Sequence, residues 1–94
     1  MKNRIRKHLV FYGEVQGVGF RFQAQMAANQ LGLTGWVRNE YDGSVTMEVQ
    51  GTEEEIDKAI EMIGNSRFIH IERIDSQKIP LEERESSFRA SYWY

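Results

Sequence analysis

A stretch of nine residues, Gly13–Arg21, combines closely spaced glycines with an arginine in the sequence GEVQGVGFR. Gly17 and Gly19 can take positive φ angles, which turn the neighbouring backbone N–H groups toward a common centre. At the start of a helix, unpaired N–H groups and the helix dipole both favour a bound anion. A cation such as Arg21 is mildly unfavourable in the first helical turn unless an anion lies beside it. Because its planar guanidinium matches two phosphate oxygens, these residues predict a phosphate site.

A second candidate residue is Asn39, which interrupts the strand-like stretch GWVRNEY at residues 35–41. Asparagine is depleted in strands. One explanation is structural, since asparagine could prepare the Asp42-Gly43 turn that follows. The other is chemical, because a neutral amide donates and accepts hydrogen bonds and can hold a water near an anionic phosphate without repelling it. The residues alone favour the structural explanation.

Two other phosphate-binding motifs do not fit this glycine stretch. A Walker A loop requires Gly-Lys followed by Ser or Thr, whereas Gly19 is followed by Phe20 and Arg21. The dinucleotide fingerprint needs a third glycine where Phe22 stands, and a chain of 94 residues is too short for that fold. A dinucleotide ligand is therefore excluded.

Two sequence motifs together resemble the acylphosphatase family, small enzymes that hydrolyse carboxyl-phosphate anhydrides. The first motif is GEVQGVGFR at residues 13–21, and the second is GWVRNEYDGSV at residues 35–45. They occur in the order of the family and at a fitting spacing. Given this resemblance, the chemical explanation of Asn39 is favoured over the structural one.

The resemblance implies hydrolysis of an acyl phosphate to a carboxylate and inorganic phosphate by direct in-line attack of water. It assigns catalysis to Arg21 and Asn39, with Asn39 holding the water. It assigns phosphate binding to the residues of the glycine loop: Val15, Gln16, Gly17, Val18, Gly19 and Phe20. It implies no metal and no cofactor. The alternative from a different class is a non-catalytic anion-binding or regulatory module of the same fold.

Composition limits the class of protein. A length of 94 residues predicts one domain over residues 1–94. The absence of cysteine excludes disulfides, thiolate metal sites and a cysteine nucleophile. His8 and His70 have no acidic or histidine neighbour at a metal-ligand spacing, so both are expected to be ordinary strand residues.

The expected partners are small molecules, namely the acyl phosphate substrate and inorganic phosphate as product and inhibitor. A net charge of −2 argues against a nucleic acid partner. The third predicted strand, SVTMEVQ, also lacks the aromatic and basic residues of an RNA-recognition module. No apolar stretch approaches the roughly 20 residues of a membrane span. We expect a monomer in the cytoplasm.

Hydrophobic periodicity predicts the elements that position these residues. Strands are predicted over residues 6–14, 36–41, 44–50, 68–79 and 88–94, and helices over residues 22–31 and 52–63. The first strand is expected to be central because both of its faces are apolar. The second helix begins with a capping box, Thr52 to Glu55. A break in alternation between Ile71 and Ile74 predicts a β-bulge.

The order of these elements is βαββαβ with a short C-terminal strand added. It predicts an α+β protein with the ferredoxin-like split-βαβ fold, in which both helices cover one face of a mostly antiparallel sheet. The expected buried stripes lie on the two helices. They consist of Phe20, Ala24, Ala27 and Leu31 in the first helix, and of Ile56, Ala59, Ile60 and Ile63 in the second.

Overall fold

The computed structural model describes residues 3–92, and in this range it contains two helices and five strands. The strands are β1 (Ile5–Glu14), β2 (Thr34–Asn39), β3 (Val45–Gly51), β4 (His70–Ile79) and β5 (Phe88–Ala90). The helices are α1 (Phe20–Leu31) and α2 (Glu53–Gly64). Each helix has 12 residues, and no helix in the described range is long and apolar enough to cross a membrane.

The strands form one sheet in the order β4-β1-β3-β2-β5. Every neighbouring pair is antiparallel except β2 and β5, which run parallel. The predicted ferredoxin-like α+β fold is confirmed. The predicted central position of β1 is also confirmed, because β1 pairs with β3 on one side and β4 on the other.

A single hydrophobic core joins the sheet to both helices. Leu9 and Phe11 of β1 belong to the same buried cluster as Phe20 of α1 and Ile56 of α2. The rings of Phe11 and Phe20 lie 4.8 Å apart between centroids. This contact holds the first residue of α1 against the centre of the sheet, directly after the glycine loop. Most of the predicted helical stripes are buried, whereas Leu31 and Ile60 are half-buried.

The predicted capping box starts α2. The hydroxyl of Thr52 accepts a hydrogen bond from the Glu55 backbone N–H at 3.2 Å, and the Glu55 carboxylate accepts one from the Thr52 backbone N–H at 3.0 Å. Two orphan donors of the first turn are thereby satisfied within four residues of sequence.

Four predicted element boundaries are wrong by two residues. Helix α1 starts at Phe20 and not at residue 22, because the buried Phe20 ring anchors its first turn. Strand β2 covers residues 34–39 and not 36–41, because Glu40 is already part of the turn, exchanging backbone hydrogen bonds with residues 43 and 44. Strand β4 starts at His70 and not at residue 68, because the Ile69 N–H donates to the Ser66 carbonyl at 3.3 Å and closes a turn.

The predicted bulge is confirmed, and the predicted last strand is too long. The register between β1 and β4 shifts between Tyr12 and Gly13, opposite residues 71–73. Strand β5 ends at Ala90, so Tyr92 is an exposed residue beyond the strand. Tyr94, the last residue of the predicted strand, lies outside the described residues.

The polar segment between β4 and β5 crosses the sheet face opposite the helices. Arg6 of β1 is only 2% exposed there and donates to the carboxylates of Glu85 at 2.7 Å and Glu48 at 3.2 Å. The Glu82 N–H donates to the Gln50 side-chain oxygen at 2.8 Å. These hydrogen bonds hold the segment against the sheet as it crosses toward β2, with which β5 pairs. The residues after β5 are thereby brought next to the start of α1.

Candidate active site

The glycine loop connects the end of β1 to the start of α1. Gly17 has φ 74° and Gly19 has φ 82°, and both values lie in the left-handed region predicted for them. Gly19 is the N-cap residue of α1 and supplies no side-chain cap, and the first turn contains no acidic residue. The first helical hydrogen bond runs from the Gln23 N–H to the Gly19 carbonyl at 3.0 Å. The N–H groups of the first turn are therefore without intrahelical partners and available to an anion.

A small pocket of about 110 Å³ lies at this helix terminus. Six of the eight predicted site residues line it: Val15, Gly17, Gly19, Phe20, Arg21 and Asn39. The loop between β1 and α1 and the end of β2 are thus brought together around one cavity. The remaining lining residues are Phe22 and Tyr92, which the sequence analysis did not identify. Gln16 and Val18 are not among the lining residues.

Gln16 and Val18 support the loop from outside the pocket. The side-chain amide of Gln16 donates to the backbone carbonyls of Glu40 at 2.7 Å and Ser44 at 2.8 Å. These two bonds tie the glycine loop to the turn between β2 and β3, next to Asn39. Val18 is half-buried and packs against the hydrophobic core.

Arg21 is held at the pocket by the segment that follows β5. Its Nη1 donates to the Ser91 carbonyl at 3.0 Å, and the guanidinium carbon lies 4.3 Å from the centre of the Tyr92 ring. This hydrogen bond uses one N–H group of Arg21, and a guanidinium has five N–H donors in all. Sequence reasoning missed this support because a backbone carbonyl partner is independent of residue type.

The side chain of Asn39 takes no part in the turn that follows it. Asp42 closes that turn, since its carboxylate accepts from the Ser44 backbone N–H at 2.9 Å and from the Ser44 hydroxyl at 2.6 Å. Gly43 completes it with φ 94°. Within the described part of the chain, the Asn39 amide has no hydrogen-bond partner, although it lines the pocket. The turn therefore does not account for the asparagine.

Two charges beside Asn39 are engaged with each other. Arg38 donates from Nε to the Glu40 carboxylate at 2.9 Å and lies over the Trp36 ring at 4.9 Å. A hydrogen bond from Thr46, followed in importance by the one from Arg38, holds the pKa of Glu40 below its ordinary value. Arg38 is consequently occupied away from the pocket, in contrast to Arg21.

The two histidines lie away from the pocket. His8 Nδ1 is 2.7 Å from the Glu48 carboxylate, its cross-strand partner in β3. His70 is exposed at the start of β4. Among residues 3–92, no three or more His, Asp or Glu side chains form a group that could hold a metal ion.

A larger concavity of about 340 Å³ lies at the start of α2. Its lining includes Glu53, Glu54 and Glu55, which complement the helix dipole and repel an anionic substrate. The smaller pocket at the start of α1 is therefore the candidate active site, because its single charged lining residue within the described range is Arg21.

Comparison with known protein families identifies the relatives of this chain. The acylphosphatase family model matches residues 7–90, a range that includes all eight predicted site residues. The chain belongs to the acylphosphatase family. An acylphosphatase of Clostridium acetobutylicum is 42% identical over 81 residues, which cover 85% of this chain and 89% of that protein. An acylphosphatase of Geobacillus kaustophilus is 39% identical over 88 residues, covering 93% and 94%.

Solved acylphosphatase structures have the same fold. The crystal structure of acylphosphatase from Bacillus subtilis superimposes with a TM-score of 0.85 at 32% identity, covering 94% of this chain and 99% of that one. The acylphosphatase of Coxiella burnetii gives a TM-score of 0.84 at 30% identity, covering 95% and 94%. Of the two interpretations of the sequence, these comparisons confirm the acylphosphatase and not the non-catalytic anion-binding module. The chain is a hydrolytic enzyme of this family.

Proposed function

We propose that this acylphosphatase binds the phosphoryl group of its substrate in the pocket at the start of α1 and hydrolyses the anhydride by in-line attack of water. The observation that carries the proposal is the convergence of three groups on one small cavity. These groups are the uncapped N–H donors of α1, the guanidinium of Arg21 and the unpaired amide of Asn39.

The phosphoryl group is assigned to the loop amides and Arg21. Residues 15–20 supply backbone N–H donors, and the helix dipole adds a partial positive charge of about half an elementary charge at the same point. Arg21 supplies a full charge, and its free N–H groups can pair with two phosphate oxygens. Together they neutralise the charge that spreads over the equatorial oxygens in the transition state.

Water activation is assigned to Asn39. Its carboxamide can accept a hydrogen bond from the water while presenting no charge to the phosphate. The leaving group is a carboxylate, a weak base that departs without a strong general acid. We propose that the proton of the attacking water passes to a phosphate oxygen, so that no side-chain base and no metal are required. Catalysis then depends on positioning and electrostatic stabilisation.

The decisive experiment measures hydrolysis of an aryl acyl phosphate with and without EDTA. We expect turnover that EDTA leaves unchanged and that inorganic phosphate inhibits competitively. Loss of activity on chelation, restored by a divalent ion, would contradict the metal-free mechanism. Absence of turnover by the folded protein under all these conditions would contradict the assignment of the reaction to this chain.

Arg21 and Arg38 form a matched pair of variants, because each guanidinium lies over an aromatic ring but only Arg21 lines the pocket. Arg21→Ala is expected to weaken phosphate inhibition and slow turnover together, by about 10²-fold or more in kcat/KM. Arg21→Lys is expected to rescue only partly, because an ammonium cannot make a two-oxygen contact. Arg38→Ala is expected to keep the parent kinetics. Equal kinetics for Arg21→Lys and the parent would refute the bidentate role.

Four further properties stay proposals from the sequence. The chain is proposed to form a single domain over residues 1–94, to act as a monomer and to work in the cytoplasm without binding nucleic acid. Light scattering at several concentrations tests the monomer, and cell fractionation tests the location. An electrophoretic mobility shift assay at low salt tests the expectation that the chain does not bind nucleic acid.

A further inference from the structure

The pocket is too small to enclose a phosphoryl group together with a bulky acyl group. Its volume is about 110 Å³, whereas pockets that bury drug-sized ligands measure roughly 300–1,000 Å³. A site of this size suits a phosphoryl group and the attacking water. If the phosphoryl group binds there, as proposed above, a bulky acyl group must extend through the mouth of the pocket toward solvent.

Two aromatic side chains of the pocket lining are exposed to solvent. Phe22 is 58% exposed in the first turn of α1, and Tyr92 is 64% exposed after β5. The other lining residues that are exposed are Gly17 and Gly19, which have no side chain. An acyl group leaving the pocket therefore meets side chains that are aromatic.

The position of Tyr92 is defined by its contact with Arg21, whose guanidinium lies 4.3 Å from the ring centre. A cation over the ring face holds the ring in place. Phe22 belongs to α1 and is positioned by the helix that supplies the phosphate-binding amides. Both rings are thus placed by the same groups that are proposed to bind the phosphoryl group. Apolar side chains that remain exposed at a binding site favour an apolar ligand surface.

A charged acyl group finds no partner at this mouth. Arg21 is the one charged residue among the lining residues within the described range, and it is assigned to the phosphate. We propose that Phe22 and Tyr92 form the acyl-binding subsite, and that this enzyme prefers acyl phosphates whose acyl group is aromatic or bulky and apolar. The inference deepens the proposed function and depends on it.

The test compares benzoyl phosphate with acetyl phosphate in the parent enzyme and in Phe22→Ala. The parent is expected to use benzoyl phosphate with the higher kcat/KM. Phe22→Ala is expected to lower kcat/KM for benzoyl phosphate by about 5- to 10-fold, the size of one aromatic pair contact, while acetyl phosphate changes less than about 2-fold. The loss should appear as a higher KM with an unchanged kcat, because the contact exists before and during the reaction. Inhibition by inorganic phosphate should not change.

Phe68→Ala is the matched control, since Phe68 is 64% exposed and does not line the pocket. It is expected to leave both substrates unaffected. Phe22→Tyr keeps the ring and should retain the preference for benzoyl phosphate. If Phe22→Ala lowers the melting temperature, Phe22→Leu provides the same comparison with apolar volume retained and the ring removed.

The outcomes separate this inference from the proposed function. If Phe22→Ala and Phe22→Leu affect benzoyl and acetyl phosphate equally, or not at all, the acyl subsite is refuted while hydrolysis at the pocket stands. If the kcat/KM of the parent for acetyl phosphate equals or exceeds its kcat/KM for benzoyl phosphate, the stated preference is refuted. If the parent hydrolyses neither, the proposed function itself is refuted.

Discussion

Replacing Gln16 with alanine removes the two hydrogen bonds that join the glycine loop to the turn between β2 and β3. Each such bond contributes roughly 0.5–1.5 kcal/mol net. The two carbonyls keep other partners, since Glu40 O also accepts from the Gly43 N–H at 3.2 Å and Ser44 O from the Glu40 N–H at 2.9 Å. Neither is left unsatisfied, so we expect a loss of about 1–2 kcal/mol in the free energy of unfolding. For a domain of this size that lowers Tm by about 4–16 °C.

The same change should impair catalysis more than binding. Asn39 is the residue next to Glu40, so the lost bonds allow its amide to shift relative to the loop amides. Displacement of a positioning group by about 1 Å can cost about 10²-fold in rate. We expect Gln16→Ala to lower kcat by about 10- to 100-fold while inhibition by inorganic phosphate changes little. Steady-state kinetics at a temperature well below Tm, combined with thermal melting, measure both effects.

Two control variants define what the Gln16 result means. Gln30→Ala removes the same side chain from an exposed position near the end of α1 and should change neither Tm nor kcat. Gln16→Glu keeps the size of the side chain but not its N–H donors, so it should be no better than alanine. Parent kcat in a Gln16→Ala protein that melts early would refute the coupling between the loop and Asn39.

Three further expectations concern the turn and the sheet. Asn39→Ala should lose about 10²-fold in kcat with stability unchanged. Asp42→Ala, by contrast, should melt at a lower temperature and keep the parent kinetics in the folded state. The reverse pattern would make Asn39 a structural residue. Hydrogen bonds from Ser44 lower the pKa of Asp42 below its ordinary 3.8. The stability that the ionised Asp42 side chain adds to the folded state is therefore present above about pH 4 and is lost as pH falls through that lowered pKa. The Tm difference between parent and Asp42→Ala should accordingly shrink on acidification, and a constant difference from pH 5 to pH 2 would contradict this. Gly35→Ala places a Cβ onto the Glu48 carbonyl at φ 142° and should lower the free energy of unfolding by about 3 kcal/mol or more. The Cβ added by Gly43→Ala meets no atom within 4 Å, so this variant should lose only about 1–2 kcal/mol. Denaturant unfolding measures both losses.

The sequence alone determined features that depend on residues close together in the chain. The capping box of α2 joins Thr52 to Glu55, and the left-handed conformations of the glycine loop follow from Gly17 and Gly19. The order of strands and helices follows from hydrophobic periodicity, and two motifs were sufficient to indicate the family. In each case the physical cause is local, because steric freedom, side-chain capping and face alternation act within a few residues.

Element boundaries were less accurately predicted because they depend on tertiary contacts. Helix α1 gains its first turn from the packing of Phe20 against Phe11, which lies in another element. Strand β2 loses its predicted end because Glu40 bonds across the turn to Ser44. The residues themselves would allow either boundary, and the contact decides between them.

The support and the mouth of the active site were decided only by the tertiary structure. Arg21 is held by the Ser91 carbonyl 70 residues away, and Gln16 donates to carbonyls more than 20 residues away. Backbone carbonyls are present at every position, so such partners leave no trace in residue type or spacing. Tyr92 reaches the pocket because β5 pairs in parallel with β2 and returns the chain to the start of α1. That return path is a property of the folded sheet, and no pattern along the chain encodes it.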